Sequence, residues 1–163
     1  MIKYYWDSCV FISRIQGDPA RIDVLQHITD EAAQDKIQIV TSTFTIAEVC
    51  KLSREDDEAL LEAEAEEIAK FFDNPYIYLV QVSRGIAIKA ASLSRKHGVK
   101  PADAIQLATA MHANCQIVHT YDESKLLKLN GIAGVPPLTI IKPAAEIQKE
   151  MFEINCPEAT EQG

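Results

Sequence analysis

Residues 100–122, KPADAIQLATAMHANCQIVHTYD, predict a buried helix that leads directly into a buried strand. Pro101 suits the first turn of a helix, because the N–H that proline lacks has no partner there. Asn114 ends the helix, and the apolar run 115–119 predicts a short strand. On this otherwise apolar helix the polar residues are spaced by three: Asp103, Gln106, Thr109 and His112. Because a helix this apolar is mostly buried, we expect a fold in which helices cover a sheet.

The same alternation of strand and helix patterns runs along the whole chain. Short β-branched or aromatic runs predict strands at 2–6, 36–41, 76–82, 115–119 and 137–141. Helical spacing, with Ser42 and Ser83 as N-caps and Gly98 as a C-terminal signal, predicts helices from residue 10 and at 20–34, 42–52, 53–72, 83–96, 101–113 and 123–129. We therefore expect a single three-layer α/β/α domain, residues 1–145, with a mostly parallel sheet of four or five strands. Residues 146–163 are expected to form a polar tail.

The composition is that of an ordinary globular protein, with 47% hydrophobic and 25% charged residues. No apolar run approaches the ~20 residues that span a bilayer, and the N-terminal MIKYYWD has no signal-peptide core. We therefore expect a cytoplasmic protein with no membrane partner. The cysteines are scattered and form no CxxC pair, so buried free thiols are expected rather than a zinc site: Cys9, Cys50, Cys115 and Cys156.

The net charge of −8 has its source in one predicted helix. Residues 55–67 contain eight acids and no base, and the rest of the chain is balanced, with 16 acidic and 16 basic residues. We interpret this acidic run as a solvated helix face, and binding of a basic partner is the alternative. The histidines show no ligand spacing and are interpreted as structural or surface residues: His27, His97, His112 and His119.

Four acids are predicted at or near the carboxyl-terminal edge of the sheet: Asp7, Glu48, Asp103 and Asp122. Ligands of open α/β sheets bind at that edge. Carboxylates gathered there would repel one another unless they were protonated or bound to cations. Mg²⁺ or Mn²⁺ is the natural cation for a site made of oxygen ligands. Such a site suits the hydrolysis of phosphodiester bonds.

Each of these acids also has a structural interpretation, which the sequence leaves open. Asp7 could cap the helix that begins near residue 10, and Glu48 could complete a capping box with Thr45. Asp103 could be an ordinary helix-start acid, and Asp122 could cap or hold a turn. The spacing of the four acids does not by itself bring them together.

Four segments resemble, in the same order, those of a PIN-domain ribonuclease of the kind found as the toxin of prokaryotic VapBC toxin–antitoxin pairs. The segments are YYWDSCVFI, TSTFTIAEV, PADAIQLATA and VHTYDESKL. Together they cover most of residues 1–141. The resemblance implies a PIN-like fold and a metal-dependent endoribonuclease that an antitoxin holds inactive.

The resemblance also implies a metal-binding quartet at the active site: Asp7, Glu48, Asp103 and Asp122. Asp7 and Asp103 would bind Mg²⁺ or Mn²⁺ directly, and the other two acids would bind it directly or through water. Ser8 and Thr120 would supply hydroxyl groups that support the ligands. Position 9 is often Asn in the family and is Cys9 here, so we expect the contacts around the ligands to differ.

RNA as substrate, an antitoxin as partner and a homodimer are further implications of the resemblance. An amphipathic antitoxin helix would lie in a groove between the helix at 20–34 and the helices spanning 42–72. The bases nearest the acids in sequence are candidates for phosphate contacts: Lys3, Arg14, Lys51, Arg54 and Lys100.

Two other functions compete with the nuclease. A non-catalytic module could keep the PIN fold and bind protein or RNA, although four costly acids would then have no purpose. A phosphotransferase of the haloacid-dehalogenase type needs a second Asp two positions after the first, and that position is Cys9. No GxGxxG or P-loop motif supports nucleotide binding.

Overall fold

A computed structural model describes residues 1–51 and 58–144 of the chain. The start of the predicted acidic helix, at 53–57, and the predicted polar tail, at 146–163, lie outside the described residues. Within the described residues, no helix has both the length and the apolar character needed to cross a membrane.

Five parallel strands of the described residues form one sheet in the order β3-β2-β1-β4-β5. They are β1 (Ile2–Trp6), β2 (Ile37–Ser42), β3 (Ile77–Val80), β4 (Ile117–His119) and β5 (Thr139–Ile141). The central strand is β1, with Tyr5 opposite Val40 of β2 on one side and Val118 of β4 on the other. The predicted parallel sheet of an α/β fold is therefore confirmed.

Six α-helices alternate with these strands in the described part of the chain. They are α1 (Ser8–Ile15), α2 (Ile22–Ala33), α3 (Thr43–Cys50), α4 (Glu58–Phe71), α5 (Arg84–His97) and α6 (Pro101–His112), and a short 3₁₀ helix spans Leu126–Leu129. Ser42 and Ser83 cap α3 and α5 by accepting hydrogen bonds from Phe44 N and Ile86 N, as the sequence predicts. These caps supply acceptors for N–H groups that have no partner inside the helix.

Strands β3, β4 and β5 are shorter than the sequence predicts. For β3 and β4 the reason is that their ends have other hydrogen-bond partners or none. Cys115 N bonds to Ala110 O and completes the end of α6, so β4 begins only at Ile117. Strand β3 ends at Val80, which lies opposite the last residue of β2. Past that point the chain has no neighbouring strand to pair with.

The two faces of the sheet carry separate cores, which confirms the three-layer architecture. Successive side chains of a strand point to opposite faces. Tyr5, fully buried, joins a cluster with α5 and α6, whereas Tyr4 and Trp6 join a cluster with α1 and α2. A helical layer therefore covers each face of the sheet.

The strand order brings the ends of three strands to one place. The chain moves from β1 through β2 to β3 on one side, and then crosses to β4 and β5 on the other. The order therefore reverses at β1, and such a switch point opens a crevice at the carboxyl edge. Asp7 follows β1, Glu48 lies on the helix after β2, and Asp122 lies beyond β4.

Gly98 ends α5 in the left-handed region, at φ 67°. An added Cβ would meet nothing within 4 Å there, so the cost of Gly98→Ala is backbone strain alone. We expect this change to lower the free energy of unfolding by about 1–2 kcal/mol. Gly85→Ala on the same helix is the control, because Gly85 has no positive φ and its Cβ would make only an ordinary contact. Urea denaturation that found both variants equally stable would contradict this expectation.

Candidate metal and catalytic site

Asp7 caps α1 and is almost completely buried, at 4% exposure. Its Oδ1 accepts hydrogen bonds from Val10 N at 3.2 Å and from Cys9 Sγ at 2.8 Å. Its Oδ2 accepts one from Thr120 Oγ1 at 2.5 Å. Asp7 is therefore the N-cap of α1, as the structural interpretation predicts. Capping alone does not explain its burial, because an N-cap residue can lie at the surface.

Burial raises the pKa of Asp7 from 3.8 to about 6. Desolvation is the main cause, since it disfavours the charged form of a carboxyl group. The hydrogen bonds from Cys9, Thr120 and the backbone act in the opposite direction, because they stabilise the carboxylate. Desolvation is the larger effect, so the folded protein holds this carboxylate at a cost.

Glu48 lies on α3 inside the helix that Ser42 caps. Its Oε2 accepts a hydrogen bond from Gln106 Nε2, and the Ser8 hydroxyl also bonds to its carboxylate. Thr45, the cap in the alternative interpretation, lies within the helix and donates to Gln106 Oε1 at 3.1 Å instead. Burial raises the pKa of Glu48, and the negative charge of Asp103 raises it further, against the two hydrogen bonds.

Asp103 lies in the first turn of α6. Its Oδ2 is buried and has no hydrogen-bond donor among the described residues. In the described part of the chain the nearest cation is Lys125, whose Nζ lies 3.9 Å from that oxygen, beyond hydrogen-bond distance. Burial raises the pKa of Asp103 and the charge of Asp122 adds to the effect, while Lys125 and Lys100 lower it.

Asp122 behaves differently from the other three acids. Its Oδ1 accepts from Ser124 N at 2.9 Å, Ser124 Oγ at 2.6 Å and Lys125 N at 3.1 Å. Burial alone would raise the pKa of Asp122, but these hydrogen bonds outweigh it, so the pKa lies below its ordinary value. The turn that Asp122 holds also delays the next helix, which begins at Leu126 rather than at the predicted Glu123.

The two predicted hydroxyl residues contact the acids. Thr120 donates to Asp7 and accepts from Asp122 N at 3.0 Å, so it connects the ends of β1 and β4. Ser8 bonds to Glu48 across the gap between α1 and α3. Asp103 lies close enough to two other acids for electrostatic effects: its charge raises the pKa of Glu48, and the charge of Asp122 raises the pKa of Asp103.

The chemistry of these acids suits a hard divalent cation, although their side chains do not already enclose one. Among residues 1–51 and 58–144, no three Asp, Glu, His or Cys side chains are grouped so as to hold a metal ion. Carboxylate oxygens are nevertheless the preferred ligands of Mg²⁺ and Mn²⁺. The buried Asp103 Oδ2 without a donor is an oxygen that a cation would satisfy.

The structure changes the list of bases near the site. Lys125 contacts Asp103, although sequence proximity did not single it out. Lys3 does not lie there, because its Nζ bonds to Ala113 O before β4, at the opposite edge of the sheet. Arg14 bonds to Gln26 on α2. Arg54 lies outside the described residues, and Lys51 is exposed just after α3.

Two further residues at the site carry weak sequence signals. Gln106 belongs to the polar stripe of α6, but only the fold brings it to Glu48. Cys9 bonds to Asp7 and also accepts a hydrogen bond from Tyr121 N at 3.0 Å, so it connects α1 with the segment after β4. Cys9 and Tyr121 are 112 residues apart in the sequence, so no local sequence pattern predicts their contact.

Comparisons with known proteins agree with this architecture. In the Klebsiella pneumoniae toxin–antitoxin complex, one chain superposes with a TM-score of 0.57 and 19% identity, over 86% of this chain and 98% of that one. VapBC2 from Rickettsia felis, bound to a promoter DNA fragment, gives 0.58 and 14%, and VapBC-1 from Haemophilus influenzae gives 0.58 and 16%, each with the same coverage. These similarities show a shared fold.

No curated protein sequence matches the chain. The family model of the PIN domain matches residues 4–131, which is most of the chain and includes the four acids described above. The chain therefore belongs to the PIN domain family.

Proposed function

We propose that this protein is a metal-dependent endoribonuclease that hydrolyses RNA phosphodiester bonds and acts as the toxin of a toxin–antitoxin pair. The observation that carries the proposal is the group of acids at the switch point of the sheet. Desolvation raises the pKa of three of them, the buried Asp7 and the half-buried Glu48 and Asp103, and a neighbouring acid raises the pKa of the last two further. Membership of the PIN domain family supports the nuclease.

In this proposal Asp7 and Asp103 hold Mg²⁺ or Mn²⁺ directly, and Glu48 and Asp122 bind it directly or through water. When bound, the cation supplies a nucleophilic water and neutralises charge on the phosphate. Thr120 orients the Asp7 carboxylate through its hydroxyl, and Ser8 does the same for Glu48. Asp122 holds the turn that brings the Lys125 ammonium toward Asp103, where it can attract an anionic backbone.

An antitoxin partner is supported by the toxin–antitoxin complexes among the structural relatives and by a groove between α1, α3 and α4. The groove has a volume of about 230 Å³ and is lined by Ile12, Ile15, Gln16, Val49, Glu64 and Ile68. Its position differs from the sequence expectation, because α1 rather than α2 packs against α3. We propose that an amphipathic antitoxin helix lies in this groove. A homodimer of the toxin is part of the same proposal.

One observation favours a second function, a non-catalytic PIN module that binds protein or RNA. Asp122 is already engaged by three donors of its own turn, and no three potential ligands in the described residues are grouped as a metal site. If the acids only hold turns and helix ends, the fold would still offer a binding surface. Metal binding and cleavage distinguish the two functions.

Purified protein, freed of any partner, should cleave a mixed RNA pool in the presence of Mg²⁺ or Mn²⁺ and not in EDTA. Asp103→Asn should lower the rate at least about 100-fold, because a metal ligand contributes several kcal/mol to the barrier. Asp73→Asn is the matched control: Asp73 is an exposed acid that is not one of the four acids of the proposed site, so this variant should cleave normally. The absence of cleavage, together with no Mn²⁺ binding by calorimetry, would contradict the proposal and favour the binding module.

Asp7→Asn should stabilise the protein while it inactivates the enzyme. Well below pH 3.8 the carboxyl of Asp7 is protonated in both the folded and unfolded chains. Between pH 3.8 and about 6 the unfolded chain loses this proton first, so folding is progressively disfavoured as the pH rises. The difference between these pKa values corresponds to a loss of about 3 kcal/mol in the free energy of unfolding. This loss is fully present well above pH 6.

Urea denaturation of Asp7→Asn in EDTA should therefore show a gain in the free energy of unfolding at about pH 7.5, up to about 3 kcal/mol, that shrinks toward pH 4. Asparagine keeps an oxygen for Val10 N, so the cap is retained. Asp73→Asn controls for the loss of a charge at the surface. A variant that is less stable at both pH values would show that the carboxylate is needed for the fold.

Lys125→Met should tighten Mn²⁺ binding about two- to fivefold, because it removes a positive charge 3.9 Å from Asp103 Oδ2. The effect is small, since the Lys125 side chain is about one third exposed and water screens the pair. Lys128→Met is the control, because Lys128 is an exposed lysine on the 3₁₀ helix that directly follows Lys125. Calorimetric titration with Mn²⁺ measures both, and equal affinities would mean that Lys125 does not face the cation.

A further inference from the structure

Gln106 is a buried amide whose hydrogen bonds join the core to the edge of the proposed site. It is 2% exposed. Its Oε1 accepts from Tyr5 OH and from Thr45 Oγ1, the latter at 3.1 Å, and its Nε2 donates to Glu48 Oε2. Burying an amide without such partners would cost about 1–3 kcal/mol, so these contacts are what allow a polar side chain at this position.

The orientation of this amide follows from the chemistry of its partners. An ionised carboxylate can only accept hydrogen bonds, so the Gln106 side chain must turn its NH₂ group toward Glu48. The carbonyl oxygen then faces Tyr5, whose hydroxyl proton has an acceptor there. Tyr5 is completely buried on the central strand, so this end of the chain of hydrogen bonds cannot move.

The same contacts tie together two helices that carry acids of the site. Thr45 and Glu48 are three residues apart on α3, and Asp103 and Gln106 are three residues apart on α6, so each pair shares one face of its helix. Gln106 contacts both residues of the α3 pair. Thr41 Oγ1 on β2 donates to Thr45 Oγ1 at 2.8 Å, and this hydrogen bond extends the network into the sheet.

We propose that Gln106 is a positioning residue, which holds the Glu48 carboxylate in the orientation that the proposed metal site needs. The inference rests on the proposed nuclease function. The side chain of Glu48 is half-buried and has several rotatable bonds, so it needs a fixed donor to keep one conformation. Gln106 supplies that donor, and the Tyr5 and Thr45 hydroxyls hold Gln106 in turn. Residues that orient metal ligands in this way typically change metal affinity or activity 10- to 100-fold.

The test compares three single variants of the full chain. Gln106→Met removes the donor to Glu48 and keeps a side chain of similar length. Tyr5→Phe removes only the hydroxyl that orients Gln106 and leaves the donor in place. Thr109→Val is the matched control, because Thr109 is also buried on α6 but its hydroxyl bonds to Ile105 O of its own helix. Each variant is assayed for RNA cleavage, Mn²⁺ affinity by calorimetry and thermal unfolding.

Gln106→Met should lower kcat about 10- to 100-fold with an unchanged KM for RNA, and should weaken Mn²⁺ binding about tenfold. Tyr5→Phe should show a smaller loss of the same kind, and Thr109→Val none. If Gln106→Met does not fold, the fall in Mn²⁺ affinity of Tyr5→Phe relative to Thr109→Val decides the question. These results would support a positioning role, since a purely structural role would change unfolding without changing kcat or Mn²⁺ affinity.

The inference is overturned if the wild-type protein cleaves RNA but Gln106→Met and Tyr5→Phe match Thr109→Val in kcat and Mn²⁺ affinity. The proposed nuclease then stands without this residue. If the wild-type protein binds Mn²⁺ but cleaves no RNA of the pool, the Mn²⁺ affinities of the variants alone decide the role of Gln106. If the wild-type protein binds no Mn²⁺, both fail.

Discussion

The parallel pairing of β1 with β2 on one side and β4 on the other is the constraint on which the rest of this structure depends. Parallel strands all end at the same edge, so the residues that follow them meet there. Trp6 lies opposite His119, and Asp7 N bonds to His119 O. The segment after β4 is therefore held against the start of α1, and the helices after β2 and before β4 complete the crevice.

The energetic character of the site follows from that convergence. One buried acid, Asp7, and two half-buried acids, Glu48 and Asp103, have a raised pKa, which means that the folded chain carries charges that it would hold more easily in water. Hydroxyl, thiol and amide groups offset part of the cost by donating hydrogen bonds to Asp7 and Glu48. In Asp122 the hydrogen bonds outweigh desolvation, since its own turn supplies three donors. The four acids therefore differ in pKa, which is raised in Asp7, Glu48 and Asp103 and lowered in Asp122.

Much of the fold is predictable from local sequence because its signals are local. The caps Ser42 and Ser83 lie within three residues of the N–H groups that they satisfy, and Gly98 adopts the positive φ in which a β-carbon is strained. Alternating strand and helix patterns predict layers, and the structure has them. Strand ends are less predictable. Val80 ends β3 only because β2, its neighbour, has ended, and no local pattern carries that information.

The sequence by itself determined the kinds of elements, their order, and the position of each acid at the end of a strand or on a neighbouring helix, because propensity, capping and hydrophobic spacing act over a few residues. Only the tertiary structure decided which side chains meet. Gln106 reaches Glu48 across 58 residues, and Thr120 reaches Asp7 across 113. Lys125 rather than Lys3 lies beside the acids, because strand order sets which edge a residue occupies. Contacts of this range depend on the whole sheet being assembled.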